Sequence, residues 1–342
     1  MEKVKTKMAL WKKLLIVFLA LLLVVCLAFG GFVAYFRLPV QDYYNASEKA
    51  FVIPDLNVGV IPQGFDYDKN NDYFLMSAYM KDDSPSRLYL IDNATGKVVK
   101  KVTFKTDKGK IFDGHFGGVA LYSDFLYVAN GKSLLVYSYS DILKATDGGV
   151  IDCLGKVSTS KSDEDYCKVS FVTVSDDTLY VGEYYSDKGY DTLDSHRFET
   201  STGEYNSAIA LEFKLSESYP LGIDATPKKA YSLPNKVQGM YVTSGKIYLS
   251  TSYGLSFSHI LEYDKNKLNS EKSTKVLDTE VSVLVLDESC LANDYKLPPM
   301  SEEIVVLDNE LYVMNESAST KYIFGKFTGG KWCYKTDLTK LA

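Results

Sequence analysis

Histidine is scarce in this 342-residue chain, at three in all, and its five cysteines include no Cys-x-x-Cys pair. A His-rich metal centre, a zinc finger and a thioredoxin-type redox motif are therefore excluded. No Gly-x-Ser-x-Gly elbow, His-Glu-x-x-His helix, P-loop or EF-hand loop occurs, so no motif names a reaction. Neither a collagen period nor a sustained heptad is present, which excludes a fibrous chain. A basic excess is missing too: 38 Lys and Arg stand against 44 Asp and Glu, for a net charge of −6. Disorder is excluded from the other side, because 46% of the residues are hydrophobic and 13% aromatic.

The net charge conceals a division. Residues 1–13 carry Lys3, Lys5, Lys7, Lys12 and Lys13 against Glu2, which makes +4, and residues 14–36 carry no charge. The remainder therefore holds −10. An acidic domain of this kind argues against nucleic acid as a partner, since phosphates are bound by basic patches. It also argues against adhesion to anionic lipid.

Leu14 to Phe36 is an unbroken apolar run of 23 residues. As a helix it spans about 34 Å, enough for ~30 Å of hydrocarbon. Trp11 and Tyr35 sit at interfacial positions, and the flanking lysines place the N-terminus in the cytoplasm with the rest outside. The run is longer than a cleaved signal's ~7–15 apolar residues. Ala28-Phe29-Gly30 fits a cleavage site poorly, and Val25 is large for the residue before a lipoprotein Cys26. The expected organisation is a basic cytoplasmic tail (1–13), a transmembrane signal-anchor (14–36), a stalk (37–50) and an extracytoplasmic domain (51–342). Pro39 marks the end of the helix.

Beyond the stalk, short runs of Val, Tyr, Leu, Ile and Phe alternate with Gly, Asn, Asp and Ser, the pattern of many short strands. Five segments repeat one plan. A short strand (Ile61–Phe65, Gly114–Ala120, Val169–Val174, Val237–Val242, Ser301–Val306) turns into a second of x-Leu/Ile-Tyr-Val/Leu type. The aligned aromatic falls at Phe74, Tyr127, Tyr180, Tyr248 and Tyr312, with spacings of 53, 53, 68 and 64 residues. These suit a four-stranded blade plus loops, and such units bury their faces only by repetition around an axis. Third strands are expected at 87–92, 134–139, 208–215, 258–264 and 321–327. The fold class predicted is all-β, a five-bladed β-propeller after one transmembrane helix. Six blades is the alternative if 51–57 or 279–287 builds another sheet. The reading preferred for 51–56 is pairing with the last blade to close the ring. Gly64, Gly117, Gly118 and Gly239 are expected to line the crowded axis.

Pro62-Gln63-Gly64, Gly114-His115-Phe116-Gly117-Gly118, Val237-Gln238-Gly239, Ser252-Tyr253-Gly254 and Pro298-Pro299-Met300-Ser301-Glu302-Glu303 stand in an order that resembles a group of secreted or membrane-anchored bacterial propeller proteins. Tyr89-Leu90-Ile91-Asp92 with Thr95-Gly96-Lys97 resembles the blades of YncE-like and NHL-like propellers. The resemblance covers most of residues 60–328. It implies the fold and an extracytoplasmic location, and it transfers no catalytic residue.

In a propeller the starts of the first strands and the ends of the second share one face near the axis, where loops build sites. First strands bring Gln63, Asp113, His115, Ser170, Gln238, Ser301, Glu302 and Glu303 there. Second strands bring Tyr79, Asn130, Glu183, Tyr184, Ser252, Tyr253, Asn315 and Glu316. Two long insertions, 186–207 and 279–300, are expected to cover this face. The plainer reading is that Gln63, Gln238 and His115 bond the backbone of adjacent blades. His196 and His259 are expected to be surface or loop residues.

The functional expectation is a binding module for an extracellular ligand, such as a cell-wall glycan, or for a protein. The alternative is a glycosidase- or lactonase-like hydrolase, which needs carboxylates ~5–10 Å apart or a metal. No cofactor is expected; Ca²⁺ on Asn130, Glu183, Asn315 and Glu316 is the one metal option considered. Cys153, Cys167, Cys290 and Cys333 are candidate disulfide partners, as Cys153–Cys167 and Cys290–Cys333 or another pairing, with free buried thiols as the alternative.

Overall fold

A computed structural model describes residues 10–269 and 272–341. The chain divides into two units, Met1–Gln41 and Asp42–Ala342. The first is built on the helix Leu10–Arg37, in which the consecutive residues Leu14, Leu15, Ile16 and Val17 point to different sides and are all exposed. It is long and apolar enough to be a membrane anchor or a signal sequence.

The second unit is a five-bladed β-propeller. Blade one comprises Val60–Asp68, Tyr73–Met80, Arg87–Asp92 and Val98–Phe104. Blade two comprises Val119–Tyr122, Phe125–Ala129, Ser133–Ser138 and Cys153–Ser158. Blade three comprises Val169–Ser175, Thr178–Glu183, Ala208–Lys214 and Lys229–Leu233. Blade four comprises Val237–Val242, Lys246–Thr251, Ser258–Asp264 and Leu291–Leu297. Blade five takes Ser301–Leu307, Glu310–Asn315 and Trp332–Asp337 from the end of the chain. Its outermost strand, Ser47–Val52, comes from the start of the domain and pairs antiparallel with Trp332–Asp337. The ring is thus closed by pairing the two ends of the domain within one blade, while the outermost strand of each blade remains a short edge.

Strand alternation explains why the blades pack. Phe74, Met76 and Ala78 face blade five, while Leu75 between them faces blade two. Leu126 and Val128 meet blade one, and Tyr127 and Ala129 meet blade three. Four apolar clusters fill successive interfaces in this way. At ~25 cal/mol per Å² of apolar surface, this burial is the chief stabilising term. The axial glycines are required by crowding. A Cβ on Gly64 would lie 2.6 Å from the Val119 nitrogen, and one on Gly239 would lie 2.6 Å from the Glu303 Cα.

Several expectations are corrected. The third strand of blade five is Trp332–Asp337, because 321–327 forms turns and the short helix Gly325–Thr328. Thr279–Val285 builds no sixth blade. It forms a hairpin with Lys272–Val276 and joins blade three parallel to Lys229–Leu233. The 279–300 insertion is therefore outer-edge sheet and no lid, apart from Met300. The segment read as a stalk is structured, with a helix at Gln41–Asn45 and the closing strand from Ser47. Cys153, Cys167, Cys290 and Cys333 are free thiols. Cys167, Cys290 and Cys333 are buried in three different interblade clusters, and this separation is why no pairing forms.

Candidate functional site

The innermost strands share a local defect that neither composition nor period reveals. In four of the five blades the register between first and second strand slips by one residue near the top. The slips lie between Pro62 and Phe65, Val169 and Phe171, Val237 and Gly239, and Ser301 and Ile304. A β-bulge of this kind re-aims the side chain it carries. The bulged segments hold Gln63, Ser170, Gln238 and Glu302, and all four line one cavity of about 620 Å³.

Most of the expected site residues meet in this cavity. Gln63, Tyr79, His115, Asn130, Tyr184, Gln238, Ser252, Tyr253, Glu302, Glu303 and Glu316 line it. The sequence reading missed Lys168, Tyr190, Lys321 and Tyr322. Tyr190 belongs to the 186–207 insertion, which was expected over this face. Lys321 and Tyr322 fall in the segment 321–327, whose composition predicts a strand, so the sequence offers no signal for them.

Four expected residues lie elsewhere. Asp113 is an exposed loop residue beside the buried Phe112. Ser301 is buried and shares a 2.9 Å hydroxyl bond with Ser250 of blade four. Asn315 is buried, with its amide atoms unpartnered. Glu183 is buried and accepts from the backbone N–H groups of Lys168 (3.1 Å) and Ile209 (3.2 Å), with His196 Nδ1 at 2.9 Å. His196 thus lies in the inserted loop but is fully buried and not at the surface, and it fastens the 186–207 insertion to blade three. His259 does lie at the surface, 2.6 Å from Asp294.

Glu303 closes the floor. Reaching from blade five, it accepts from the N–H groups of Phe65 (2.7 Å), Val119 (3.2 Å) and Val172 (3.0 Å), so one carboxyl ties blades one, two and three. Burial pushes its pKa well above the usual carboxylate range, outweighing the three N–H groups that pull it down. Above it, Glu302 is also raised well above that range, by burial first and then by Glu316 and Glu303. Glu316 is pushed up to about 7 by burial, against the pull of Lys321 and Tyr322. Gln63 Nε2 points toward Glu316 Oε2 at 3.5 Å. Lys321 Nζ donates to the Tyr79 hydroxyl at 2.7 Å, and the Tyr79 ring packs 4.5 Å from that of His115. The His115 pKa is lowered by desolvation first and then by the charge of Lys321.

The four residues considered for Ca²⁺ do not all meet in the cavity. Of the set considered for Ca²⁺, Glu183 is engaged by His196, and Asn315 lies outside the cavity that Asn130 and Glu316 line. Among the described residues no group of three His, Cys, Asp or Glu side chains is placed to hold an ion.

No protein-family model and no curated protein matches the chain. Solved structures give distant likenesses. Myxococcus xanthus glutaminyl cyclase is 11% identical, covering 85% of this chain and 94% of its own, with a TM-score of 0.43. A luciferin-regenerating enzyme is 11% identical over 84% and 94%, at 0.42. BamB from Moraxella catarrhalis is 9% identical over 74% and 82%, at 0.31. The blade count and closure rest on the strand pairing itself.

Proposed function

We propose that this chain is a membrane-anchored binding protein whose propeller takes a small polar ligand, or an extended piece of a larger one, into the top cavity. The observation that carries the reading is the repeated bulge, which turns Gln63, Ser170, Gln238 and Glu302 from four blades into one space. Amides, hydroxyls and carboxyls converging among tyrosines are the usual makings of a ligand site. The lysine-flanked apolar run supports a single-pass topology with the N-terminus cytoplasmic and the propeller outside. That location also agrees with the secreted or membrane-anchored bacterial propellers that the motif order resembles.

The test is a binding screen of the full chain in nanodiscs against cell-wall glycan fragments and peptides. A Gln63→Ala/Gln238→Ala/Glu302→Gln variant is expected to lose at least about tenfold in affinity, since it removes polar partners from three blades. Unchanged affinity in that variant would overturn the site. A hydrolase is the second reading, favoured by Glu302 and Glu316 sharing the cavity. Turnover of aryl glycosides or lactones by the wild type, abolished in both Glu302→Gln and Glu316→Gln, would support it over simple binding.

A further inference from the structure

Glu302 is 3% exposed, lines the cavity, and leaves Oε1 without a hydrogen-bond partner. Buried acceptors are almost always satisfied, and an exception at a cavity wall marks a place that something else completes. A second carboxyl, Glu316, lines the same space and acts on Glu302 by charge. Tyr79, Tyr184 and Tyr322 surround the pair, and each of their hydroxyls feels both carboxyls. Lys321 leans toward this cage, with its Nζ 5.2 Å from the ring centres of both Tyr79 and Tyr322. Its hydrogen bond goes to the Tyr79 hydroxyl, which leaves Glu302 Oε1 open.

We propose that the cavity recognises a small ligand bearing a primary ammonium group, seated between Glu302 and Glu316 and walled by Tyr79, Tyr184 and Tyr322. The inference rests on reading the cavity as a binding site and names its ligand class. Two neighbouring buried carboxyls repel an anion, and a neutral hydroxyl satisfies one without relieving the pair. An ammonium supplies both N–H donors and compensating charge, and aromatic faces attract it further. A quaternary cation would leave Oε1 without a donor. Lys321 marks the preference, because the protein's own ammonium is drawn to the same tyrosines.

Proton linkage gives this idea a signature. Burial pushes Glu316 up to about 7 and raises Glu302 well above the usual carboxylate range, so Glu316 is partly protonated at neutral pH. An incoming ammonium expels that proton. Glu303 below is held by three backbone N–H groups. His115, Lys168 and Lys321 are the basic groups that line the same cavity.

The experiment is titration calorimetry of the full chain in nanodiscs with n-butylammonium chloride, in two buffers of different ionisation enthalpy. Controls are n-butanol and N-acetylglucosamine. Butylammonium is expected to bind with net proton release near pH 7, and butanol at least about tenfold more weakly. Glu302→Gln should abolish butylammonium binding, whereas Lys321→Met should tighten it several-fold by removing the resident competitor. Equal binding of butanol, binding without proton release, or no binding of butylammonium at tens of millimolar would each overturn the ammonium class. If N-acetylglucosamine binds in a manner lost with Gln63→Ala/Gln238→Ala while butylammonium does not, the ammonium class falls and the binding cavity stands.

Discussion

Glu303 has a surrounding that no other carboxyl shares among the described residues: three backbone N–H groups from three blades and no cation. Removing it leaves three buried donors unsatisfied, each worth about 1–3 kcal/mol, and opens a void on the axis. The buried carboxyl's own desolvation is relieved at the same time, so the net cost is smaller than that sum. Glu303→Ala is expected to lose roughly 3–5 kcal/mol in denaturant unfolding of the full chain. Glu303→Gln should lose less, because its amide oxygen can still accept from Phe65 and Val119. A Glu303→Ala variant within about 0.5 kcal/mol of wild type would show that the axis holds without it. The residue types at this site were legible in the sequence, since polar groups cluster where the first strands begin. Their division of labour was not. Glu302 and Glu303 are adjacent, yet the bulge at this point buries both, one into the cavity wall and one across the axis. The role of Glu183 was also hidden, because its partner His196 arrives from an insertion that follows no period.

Strands show the same contrast between what a repeat fixes and what it leaves open. Each blade's first three strands could be read from alternation in four cases, and the pairing of the segment from Phe51 with the last blade is the preferred expectation, met by a strand that begins earlier, at Ser47. The last blade was misread because 321–327 looks as strand-like in composition as Trp332–Asp337, and only ring closure against Ser47–Val52 selects the latter. The closure makes a test by alternation. Phe51 is 3% exposed and packs 5.5 Å ring to ring from Phe74, whereas Val52 beside it is 48% exposed. Phe51→Ala should cost about 3–5 kcal/mol. Val52→Ala should stay within about 0.5 kcal/mol. Similar costs for the two would mean that the ring is not closed in this register. The 186–207 insertion offers a second test. His196→Ala removes the ring that joins it to Glu183, at a cost of about 1–3 kcal/mol. Limited proteolysis is then expected to cut within 186–207 before any other site, and cleavage elsewhere first would deny His196 the fastening role.

The whole propeller carries its acidity inward as well as outward. Asp66, Glu302, Glu303 and Glu316 all titrate above the usual carboxylate range, and burial is the largest cause for each. Asp66 and Glu316 are both pushed up to about 7. A carboxyl raised in the folded state keeps its proton where the unfolded chain has lost it. The folded state then binds more protons between the two pKa values, so stability falls as pH rises across that window. Below about 4 the four groups are protonated in both states and cost nothing. Through pH 7 the folded state must either hold protons against the solution or bury charge. Carboxylates held low, such as Asp55, Asp224, Asp287 and Asp337, change stability only below their unfolded values and leave this window alone. His115 has the opposite sign, because its lowered pKa penalises the folded state below about 6.5, but it is one group against four. The denaturant midpoint of the full chain is therefore expected to be higher at pH 5.5 than at pH 8, with an unchanged slope. Asp66→Asn should reduce the difference, because Asp66 accepts from the Leu121 N–H at 2.6 Å and the amide oxygen preserves that bond while removing the ionisation. A midpoint that rises toward pH 8 in the wild type would mean that the axial carboxyls are ionised without penalty. The acid-lined axis would then be a solvated channel, and the cavity above it would hold no shared proton for a ligand to displace.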